Sequence, residues 1–157
     1  MSDGELEIER KYLLRALPQF PERPGRRLLT IDQGYVPGER IRDRLRRVEE
    51  QGGERWFRTV KLGRGLTRHE FEDETTADIF QAMWPLTQGR RLRKRRHVIP
   101  EGALLWEVDE FLDRPLVLAE IELPAEDTVV TPPEWLVAVI EREVTGQVPY
   151  LNSTLAR

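Results

Sequence analysis

The sequence predicts a mainly β fold of the α+β kind, in which a few helices cover an antiparallel sheet. Three observations support this prediction. Charged and apolar residues alternate along most of the chain, Gly and Pro residues separate these stretches, and helical spacing of apolar residues is limited to a few segments. The length of 157 residues is typical of one domain, so residues 1–157 are expected to form a single domain.

The first predicted strand spans residues 7–14 and has two faces of opposite character. Glu7, Glu9 and Lys11 alternate on one face, and the apolar residues alternate on the other, with Arg10 as the exception. Carboxylate oxygens suit Mg²⁺ or Mn²⁺, and the ammonium group suits a phosphate oxygen. Taken alone, the stretch is explained equally well by a solvated edge strand of mixed charge.

Seven further strands are predicted along the chain. They span residues 31–36, 40–48, 56–62, 68–74, 92–99, 104–111 and 117–123. The second of these is typical of a strand because Arg40, Arg42, Arg44 and Arg46 share one face at period two, whereas a helix would scatter them around its axis. The turn residues that follow it join it to the next strand as a hairpin.

Helices are predicted in three places. Residues 75–87 have apolar side chains at helical spacing, with a Thr-Thr pair that can cap the start. Thr131-Pro-Pro-Glu134 matches a capping box with proline at the first helical position, so a helix should begin there. The tail, residues 150–157, is expected to form a short helix or an ordered arm.

Charged residues follow one face of the predicted strands with little neutral polar filler. They are Glu7, Glu9 and Lys11; Arg40, Arg42, Arg44 and Arg46; Lys61; Arg68, Glu70, Glu72 and Glu74; Lys94 and Arg96; Glu107 and Asp109; and Glu120 and Glu122. The wet face of an ordinary open sheet is more mixed, with Thr, Ser and Gln. If these strands close or nearly close into a barrel, the charged faces would line a channel.

Electrostatics limits how such a channel could be built. Two carboxylates about 4 Å apart repel by about 4 kcal/mol at an effective dielectric constant near 20. Acidic strands therefore need cations, which basic side chains and divalent metals can supply. Acids that hold Mg²⁺ or Mn²⁺ beside bases that bind an extended polyanion are the equipment of phosphoryl transfer to water.

Composition excludes several classes of protein. The 25 basic and 28 acidic residues give a net charge of -3, which argues against a generally cationic nucleic-acid-binding protein. Cysteine is absent, so thiolate catalysis and cysteine metal sites are excluded. The sequence contains no apolar run of the ~20 residues that a membrane helix needs, and its start lacks the apolar core of a secretory signal. We therefore expect a cytoplasmic protein without a membrane partner.

An ordered set of short motifs runs along nearly the whole chain. It comprises Glu7-x-Glu9-x-Lys11, Gln33-Gly34-Tyr35, Arg44-Leu45-Arg46, Thr59-Val60-Lys61, Arg68-x-Glu70-x-Glu72, Lys94-x-Arg96, Trp106-Glu-Val-Asp109-x-Phe111, Ala119-Glu-Ile-Glu122-Leu123, Glu143-Val-Thr145 and Tyr150-x-Asn152. This set resembles the CYTH superfamily, the triphosphate tunnel metalloenzymes, and above all its short bacterial inorganic triphosphatases. The resemblance implies an eight-stranded antiparallel closed β-barrel tunnel that hydrolyses triphosphates with Mg²⁺ or Mn²⁺.

The resemblance also implies roles for individual residues. Metal ligands would be drawn from Glu7, Glu9, Glu70, Glu72, Asp109, Glu120 and Glu122. Phosphates would be bound by Lys11, Arg44, Arg46, Lys61, Arg68, Lys94 and Arg96, and the catalytic residues would be Lys11, Arg44, Arg46 and Glu122. The chain departs from the family at Gln147-Val148-Pro149, where Asp-x-Arg is usual, and Arg40, Arg42, Arg47 and the basic run 90–96 exceed the family pattern.

Several functions are compatible with these features. We expect inorganic tripolyphosphate to be hydrolysed at its terminal phosphate, with thiamine triphosphatase or adenylate cyclase chemistry as alternatives within the family. The basic runs would also suit a nucleic-acid-binding module, but the acidic strands would repel a duplex. A polyphosphate-sensing module without catalysis is a further alternative, against which the acidic positions argue for metals. The expected partner is a small triphosphate or polyphosphate, and the chain would be a monomer or a homodimer.

Overall fold

Nine strands and a few short helices make up the described chain. The structure, a computed structural model, describes residues 8–62 and 69–157. The strands are β1 (Ile8–Leu14), β2 (Arg27–Val36), β3 (Ile41–Glu50), β4 (Gly53–Leu62), β5 (His69–Thr75), β6 (Arg91–Glu101), β7 (Leu104–Phe111), β8 (Val117–Leu123) and β9 (Ile140–Glu143). The helices are α1 (Ala77–Met83), α2 (Glu134–Val137) and α3 (Asn152–Leu155), with 3₁₀ turns at Trp84–Thr87 and Val148–Tyr150.

The described chain divides into two compact units. The first contains residues 30–62, 69–93 and 151–157, and the second contains residues 8–29 and 94–150. Strands β2 and β6 each contribute residues to both units. The expectation of a single domain stays a prediction.

In the first unit, strands β2, β3, β4 and β5 follow one another as antiparallel neighbours. Gln51 and Gly52 link β3 to β4, and both have positive φ, of 51° and 80°. A two-residue loop with this backbone twist matches the twist of the strands it joins, which explains the tight hairpin. Gly34 on β2 lies against the turn after α1, where an added Cβ would lie 2.7 Å from the side chain of Thr87. Glycine therefore allows this turn to pack closely on the strand.

In the second unit, the strand order is β6, β7, β8, β1 and β9. Alternate residues of β1, β7 and β8 point to one side and form an apolar core that α2 covers. The buried members of this core are Tyr12, Leu14, Trp106, Val108, Ala119, Ile121, Leu123 and Leu136. The charged residues of the same strands occupy the opposite face, as the alternation predicted.

The strand count and the closure differ from the expectation. The described residues form nine strands rather than eight, because the short strand β9, which none of the predicted strands includes, pairs with β1. The strands of neither unit close on themselves in the described parts of the chain, so the closed eight-stranded barrel is not confirmed. The prediction of an antiparallel, mainly β fold is confirmed.

The helices follow the predictions unevenly. Helix α1 begins after Thr76, whose hydroxyl accepts a hydrogen bond from the Ile79 amide, as the Thr-Thr pair predicted. The prediction of a capping box at Thr131 is wrong. Helix α2 begins after Pro133, has no side-chain cap and is four residues long. The tail forms α3. In the described residues, no helix has the length and apolar character needed to cross a membrane.

Candidate functional site

Arg44 lies at the centre of the charged face of the first unit. Its Nη2 atom donates hydrogen bonds of 3.1 Å to Thr59 Oγ1 and of 3.1 Å to Glu72 Oε2. The Thr59 hydroxyl in turn donates to the same Glu72 carboxylate at 3.1 Å. The Nε atom of Arg44 is buried and has no hydrogen-bond partner in the described residues. A buried donor without a partner favours an anion at this position.

Arg46 is held on the same face by an uncharged neighbour. Its Nε atom donates to Gln33 Oε1 at 2.8 Å, and Gln33 Nε2 donates to Tyr35 Oη at 2.8 Å. Gln33 is fully buried. Burial raises the pKa of the Tyr35 phenol, with the positive charge of Arg44 opposing it, so this residue stays protonated at neutral pH.

Lys61 on β4 and Glu70 on β5 are the last two predicted site residues on this face. They lie directly opposite each other across the two strands, with 3.9 Å between Lys61 Nζ and Glu70 Oε2. The first unit therefore brings together five of the predicted site residues. These are Arg44, Arg46, Lys61, Glu70 and Glu72.

Asp109 forms a buried ionic cluster in the second unit. It accepts hydrogen bonds from Lys94 Nζ at 2.7 Å and from Arg96 Nε and Nη2 at 2.7 and 2.8 Å. Burial alone would raise the pKa of Asp109, but the charges and hydrogen bonds of Arg96 and Lys94 hold it well below its usual range. The same burial lowers the pKa of Arg96, and the neighbouring carboxylates more than offset it. Arg96 and Asp109 are therefore both charged.

Lys11 is anchored by the segment that follows β9. Its backbone amide donates to Thr145 Oγ1 at 3.0 Å, and its Nζ atom donates to the Tyr150 carbonyl oxygen at 2.9 Å. Lys11 Nζ also pairs with Glu120 at 3.0 Å. These contacts give a structural role to two of the C-terminal motifs, Glu143-Val-Thr145 and Tyr150-x-Asn152. Gln147, which stands where the family usually has Asp, accepts a hydrogen bond of 3.0 Å from Arg142 Nη1 through its side-chain oxygen.

Carboxylates meet carboxylates across three neighbouring strands of the second unit. Glu107 lies opposite Glu120 between β7 and β8, and Glu122 lies opposite Glu9 between β8 and β1. Acidic residues directly opposite each other destabilise a sheet. Such an oxygen-rich set is chemically suited to a hard divalent cation. In the described parts of the chain, no three His, Asp or Glu side chains gather closely enough to form a ready metal site.

Two predicted site residues, Glu7 and Arg68, lie outside the described residues. The remaining predicted residues are distributed between the two units. Arg44, Arg46, Lys61, Glu70 and Glu72 belong to the first unit, and Glu9, Lys11, Lys94, Arg96, Asp109, Glu120 and Glu122 belong to the second. All of them follow the alternating charged faces that the sequence indicated, and their roles stay predictions.

Sequence reasoning missed three members of these clusters. Gln33 and Thr59 were given no role because they carry no charge, although both belong to motifs of the resemblance. Gln33 lies directly opposite Arg46, and Thr59 lies directly opposite Arg44. Glu107 alternates with Asp109 and contacts Arg96, but it was not assigned as a ligand. Glu107 lies two residues before Asp109 on β7, and this spacing could have identified it as a member of the same face.

The opposite face of the first unit is more polar than the sequence indicated. Asp43 is buried and accepts hydrogen bonds from Arg58 at 2.9 and 3.3 Å. Asp32 pairs with Arg47 at 3.4 Å and with Arg93 at 3.2 Å. Two of the arginines in excess of the family pattern therefore have acidic partners of their own.

His97 has a packing role, as expected of a histidine that the strand alternation places on the face opposite Lys94 and Arg96. Its ring stacks on Phe20 with 4.1 Å between the centroids. Burial lowers the pKa of His97, with the Glu110 carboxylate opposing it. The side chain of His69 is outside the described part of the structure.

Among curated proteins, the relatives that this chain resembles are inorganic triphosphatases. No family model matches the chain. Two inorganic triphosphatases, from Nitrosomonas europaea and Acetivibrio thermocellus, are each 36% identical to it. The first alignment covers 96% of this chain and 96% of the relative, and the second covers 96% and 93%.

Solved structures agree with the sequence relatives. The crystal structure of the inorganic triphosphatase NE1496 has a TM-score of 0.70 at 31% identity, covering 97% of this chain and 95% of that one. The PH1819 protein of Pyrococcus horikoshii has a TM-score of 0.52 at 21% identity, covering 77% of this chain and 80% of that one. The second likeness concerns the fold alone.

Proposed function

This chain belongs to the triphosphate tunnel metalloenzymes of the CYTH superfamily, and from that premise we propose that it is an inorganic triphosphatase. In the proposed reaction, water attacks the terminal phosphorus of tripolyphosphate. The bond from that phosphorus to its bridging oxygen breaks, and phosphate and pyrophosphate leave. The observation that carries the proposal is the set of cations Lys11, Arg44, Arg46, Lys94 and Arg96, each fixed by a described contact on a charged strand face.

The arginines of the first unit are suited to bind the phosphate oxygens. Guanidinium groups present planar, paired donors to phosphate, and charge-assisted hydrogen bonds of this kind are about twice as strong as neutral ones. The unpartnered Nε atom of Arg44 supports an anion at this place. Gln33 fixes the plane of the Arg46 guanidinium, which reduces the reorganisation needed when substrate binds.

Lys11, Lys94 and Arg96 would bind phosphate oxygens from the second unit. The two cations beside Asp109 are held by a carboxylate that is itself fully buried, so their positions are fixed before substrate arrives. Lys11 is held in the same way by Glu120 and the Tyr150 carbonyl oxygen. Stabilisation of the charge that develops on the transferred phosphoryl group is the expected result.

The carboxylates fit a divalent metal by their chemistry. Glu9, Glu107, Glu120 and Glu122 present oxygen donors on neighbouring strands, with like charges directly opposite each other. We propose that Glu9, Glu120 and Glu122, together with Glu7, hold Mg²⁺ or Mn²⁺. The resemblance to the family adds Glu70, Glu72 and Asp109 to the possible metal ligands. A bound metal would neutralise charge at the phosphate oxygens and acidify the attacking water.

The test is phosphate release from tripolyphosphate by the purified protein. We expect release with Mg²⁺ or Mn²⁺, loss of release with EDTA, and recovery when metal is added back. Thiamine triphosphate and ATP, assayed in parallel, should be poorer substrates. No release from tripolyphosphate with either metal would contradict the proposed function, and full activity in EDTA would contradict its metal dependence.

A further inference from the structure

A basic cavity in the first unit has no role in the function described so far. It has a volume of about 520 Å³, and Arg42, Arg90 and Arg157 contribute to its wall. Tyr35 lines it as well, beside the Pro37-Gly38 turn that ends β2. We call this feature the arginine cavity. Arg42 and Arg90 are among the arginines in excess of the family pattern, and Arg157 comes from the segment that contains α3.

The arginine cavity carries an excess of positive charge. Among the described residues that line it, Glu39 is the one acidic side chain against three guanidinium groups. Neither the Arg90 nor the Arg157 side chain forms an ion pair with a described Asp or Glu side chain, in contrast to Arg47 and Arg58 on the strands. A concave site of one sign raises the local concentration of the opposite ion. The cavity is therefore suited to an anion.

The arginine cavity continues the phosphate-binding face of β3. Arg42, Arg44 and Arg46 alternate on one face of this strand, so neighbouring members are about 7 Å apart along it. Tyr35 lies opposite Arg44 on β2 and also lines the cavity. A linear anion bound at Arg44 and Arg46 could extend past Tyr35 into the cavity.

From this continuity we infer that the arginine cavity is a subsite for the fourth and later phosphates of a linear polyphosphate. The inference rests on the proposed function, because it places the first three phosphates at the residues described above. Guanidinium groups recognise phosphate oxygens through paired hydrogen bonds, and three of them would not suit an uncharged nucleoside or thiazole. The substrate class would thus include tetrapolyphosphate and longer chains.

The experiment compares chain lengths in matched variants. Values of kcat/KM are measured for tripolyphosphate, tetrapolyphosphate and ATP with the wild type, Arg90→Gln and Arg157→Gln. Arg40→Gln is the control, since it removes the same charge from an exposed residue that does not line the cavity. Both cavity variants should lower the ratio of tetrapolyphosphate to tripolyphosphate kcat/KM roughly tenfold, the factor that corresponds to about 1.4 kcal/mol. The control should leave this ratio unchanged.

The outcomes separate the subsite from the proposed function. A wild type that hydrolyses tripolyphosphate but neither binds nor hydrolyses tetrapolyphosphate would overturn the subsite alone. An equal ratio in all variants, or an equal fall in Arg40→Gln, would overturn it as well. A selective loss of ATP hydrolysis in the cavity variants would identify a nucleoside pocket instead. Absence of tripolyphosphate hydrolysis in the wild type would contradict the proposed function. Arg157 is exposed, so we expect Arg157→Gln to leave folding unchanged and to report on the cavity alone.

Discussion

Gln33 connects two functional side chains although it carries no charge. Its amide oxygen receives the Arg46 Nε hydrogen, and its amide nitrogen donates to the Tyr35 hydroxyl. Both ends of the amide are therefore occupied, and the side chain is fully buried. A buried polar group with both ends satisfied keeps one orientation, and this orientation is passed to the guanidinium of Arg46.

Replacement of Gln33 should therefore impair turnover through Arg46. We expect Gln33→Ala to lower kcat/KM for tripolyphosphate roughly tenfold, which corresponds to about 1.4 kcal/mol of transition-state stabilisation. Gln33→Glu keeps an acceptor for Arg46 and should retain more activity than Gln33→Ala. Steady-state kinetics corrected for the folded fraction provide the measurement, with Gln81→Ala as the control on the exposed face of α1. Equal rates for Gln33→Ala and the control would show that Gln33 does not position Arg46.

At this scale the sequence predicted the charged members of the clusters and missed their neutral partners. Alternation placed Arg44 and Arg46 on one strand face together with Arg40 and Arg42, and the resemblance to the family selected these two as phosphate-binding residues. Gln33 and Thr59 belong to two of the motifs that carry the resemblance, but they were assigned no role because they have no charge. The ion pair of Asp43 with Arg58 was also missed, since one strand does not reveal which residue of the next lies opposite.

Strands β6 and β7 are joined by the Lys94–Asp109–Arg96 cluster as well as by their backbone. Asp109 is 2% exposed and Lys94 is fully buried. Removal of one partner from a buried ionic cluster leaves an uncompensated charge in a region of low dielectric constant. The stability of this strand pair should therefore depend on the ionisation of Asp109.

Acid should weaken the protein through this group. The pKa of folded Asp109 is depressed below the unfolded value of about 3.9, so its contribution to stability is complete above about pH 4 and is lost as the pH falls further. Asp109→Asn should lower the free energy of unfolding by about 3 to 5 kcal/mol at pH 7, because two cations lose their partner. The difference from the wild type should shrink between pH 4 and pH 2, as measured by urea unfolding.

Two controls accompany the pH series. Asp113→Asn alters an exposed aspartate whose partner is the neighbouring Arg114, so a smaller effect is expected. His97 titrates in every variant, and its lowered pKa makes all of them lose stability as the pH falls below about 6.5, so it cancels in the comparison. A difference between Asp109→Asn and the wild type that stays constant down to pH 2 would contradict the assigned ionisation.

Elements with strong local signals were predicted well, and those that depend on tertiary pairing were not. The cap at Thr76 defines the start of α1 within its own few residues. Strand β9 has four residues, and its pairing with β1 contains a register shift between Leu13 and Leu14. A strand this short exists because β1 provides an edge for it, and no local pattern encodes that.

Over the whole chain, nearly equal numbers of acidic and basic residues conceal an uneven distribution. Basic residues of the first unit share hydrogen bonds with Glu72 and Gln33, whereas the second unit also brings like charges together at Glu107–Glu120 and Glu9–Glu122. Lys11 and Arg96 offset part of the charge at Glu120 and Glu107. A bound cation would offset the repulsion that is left between the opposed carboxylates and would stabilise the fold. The net charge of -3 does not reveal this arrangement.

Metal should therefore stabilise the folded protein measurably. At a free Mg²⁺ concentration of 100 times the dissociation constant, binding to the folded state adds about 2.7 kcal/mol to the free energy of unfolding. This increase raises the Tm of a chain of this size by roughly 5 to 10 °C.

Glu122→Gln removes one charge opposite Glu9, so the metal-free Tm should rise or stay equal while the Mg²⁺-induced rise shrinks. Glu126→Gln, on an exposed loop, should behave as the wild type. Thermal melts in EDTA and in Mg²⁺ measure both effects without any need for turnover. An identical Mg²⁺-induced rise in Glu122→Gln and the wild type would remove Glu122 from the proposed ligands, and no rise in the wild type would contradict metal binding by the acidic strands.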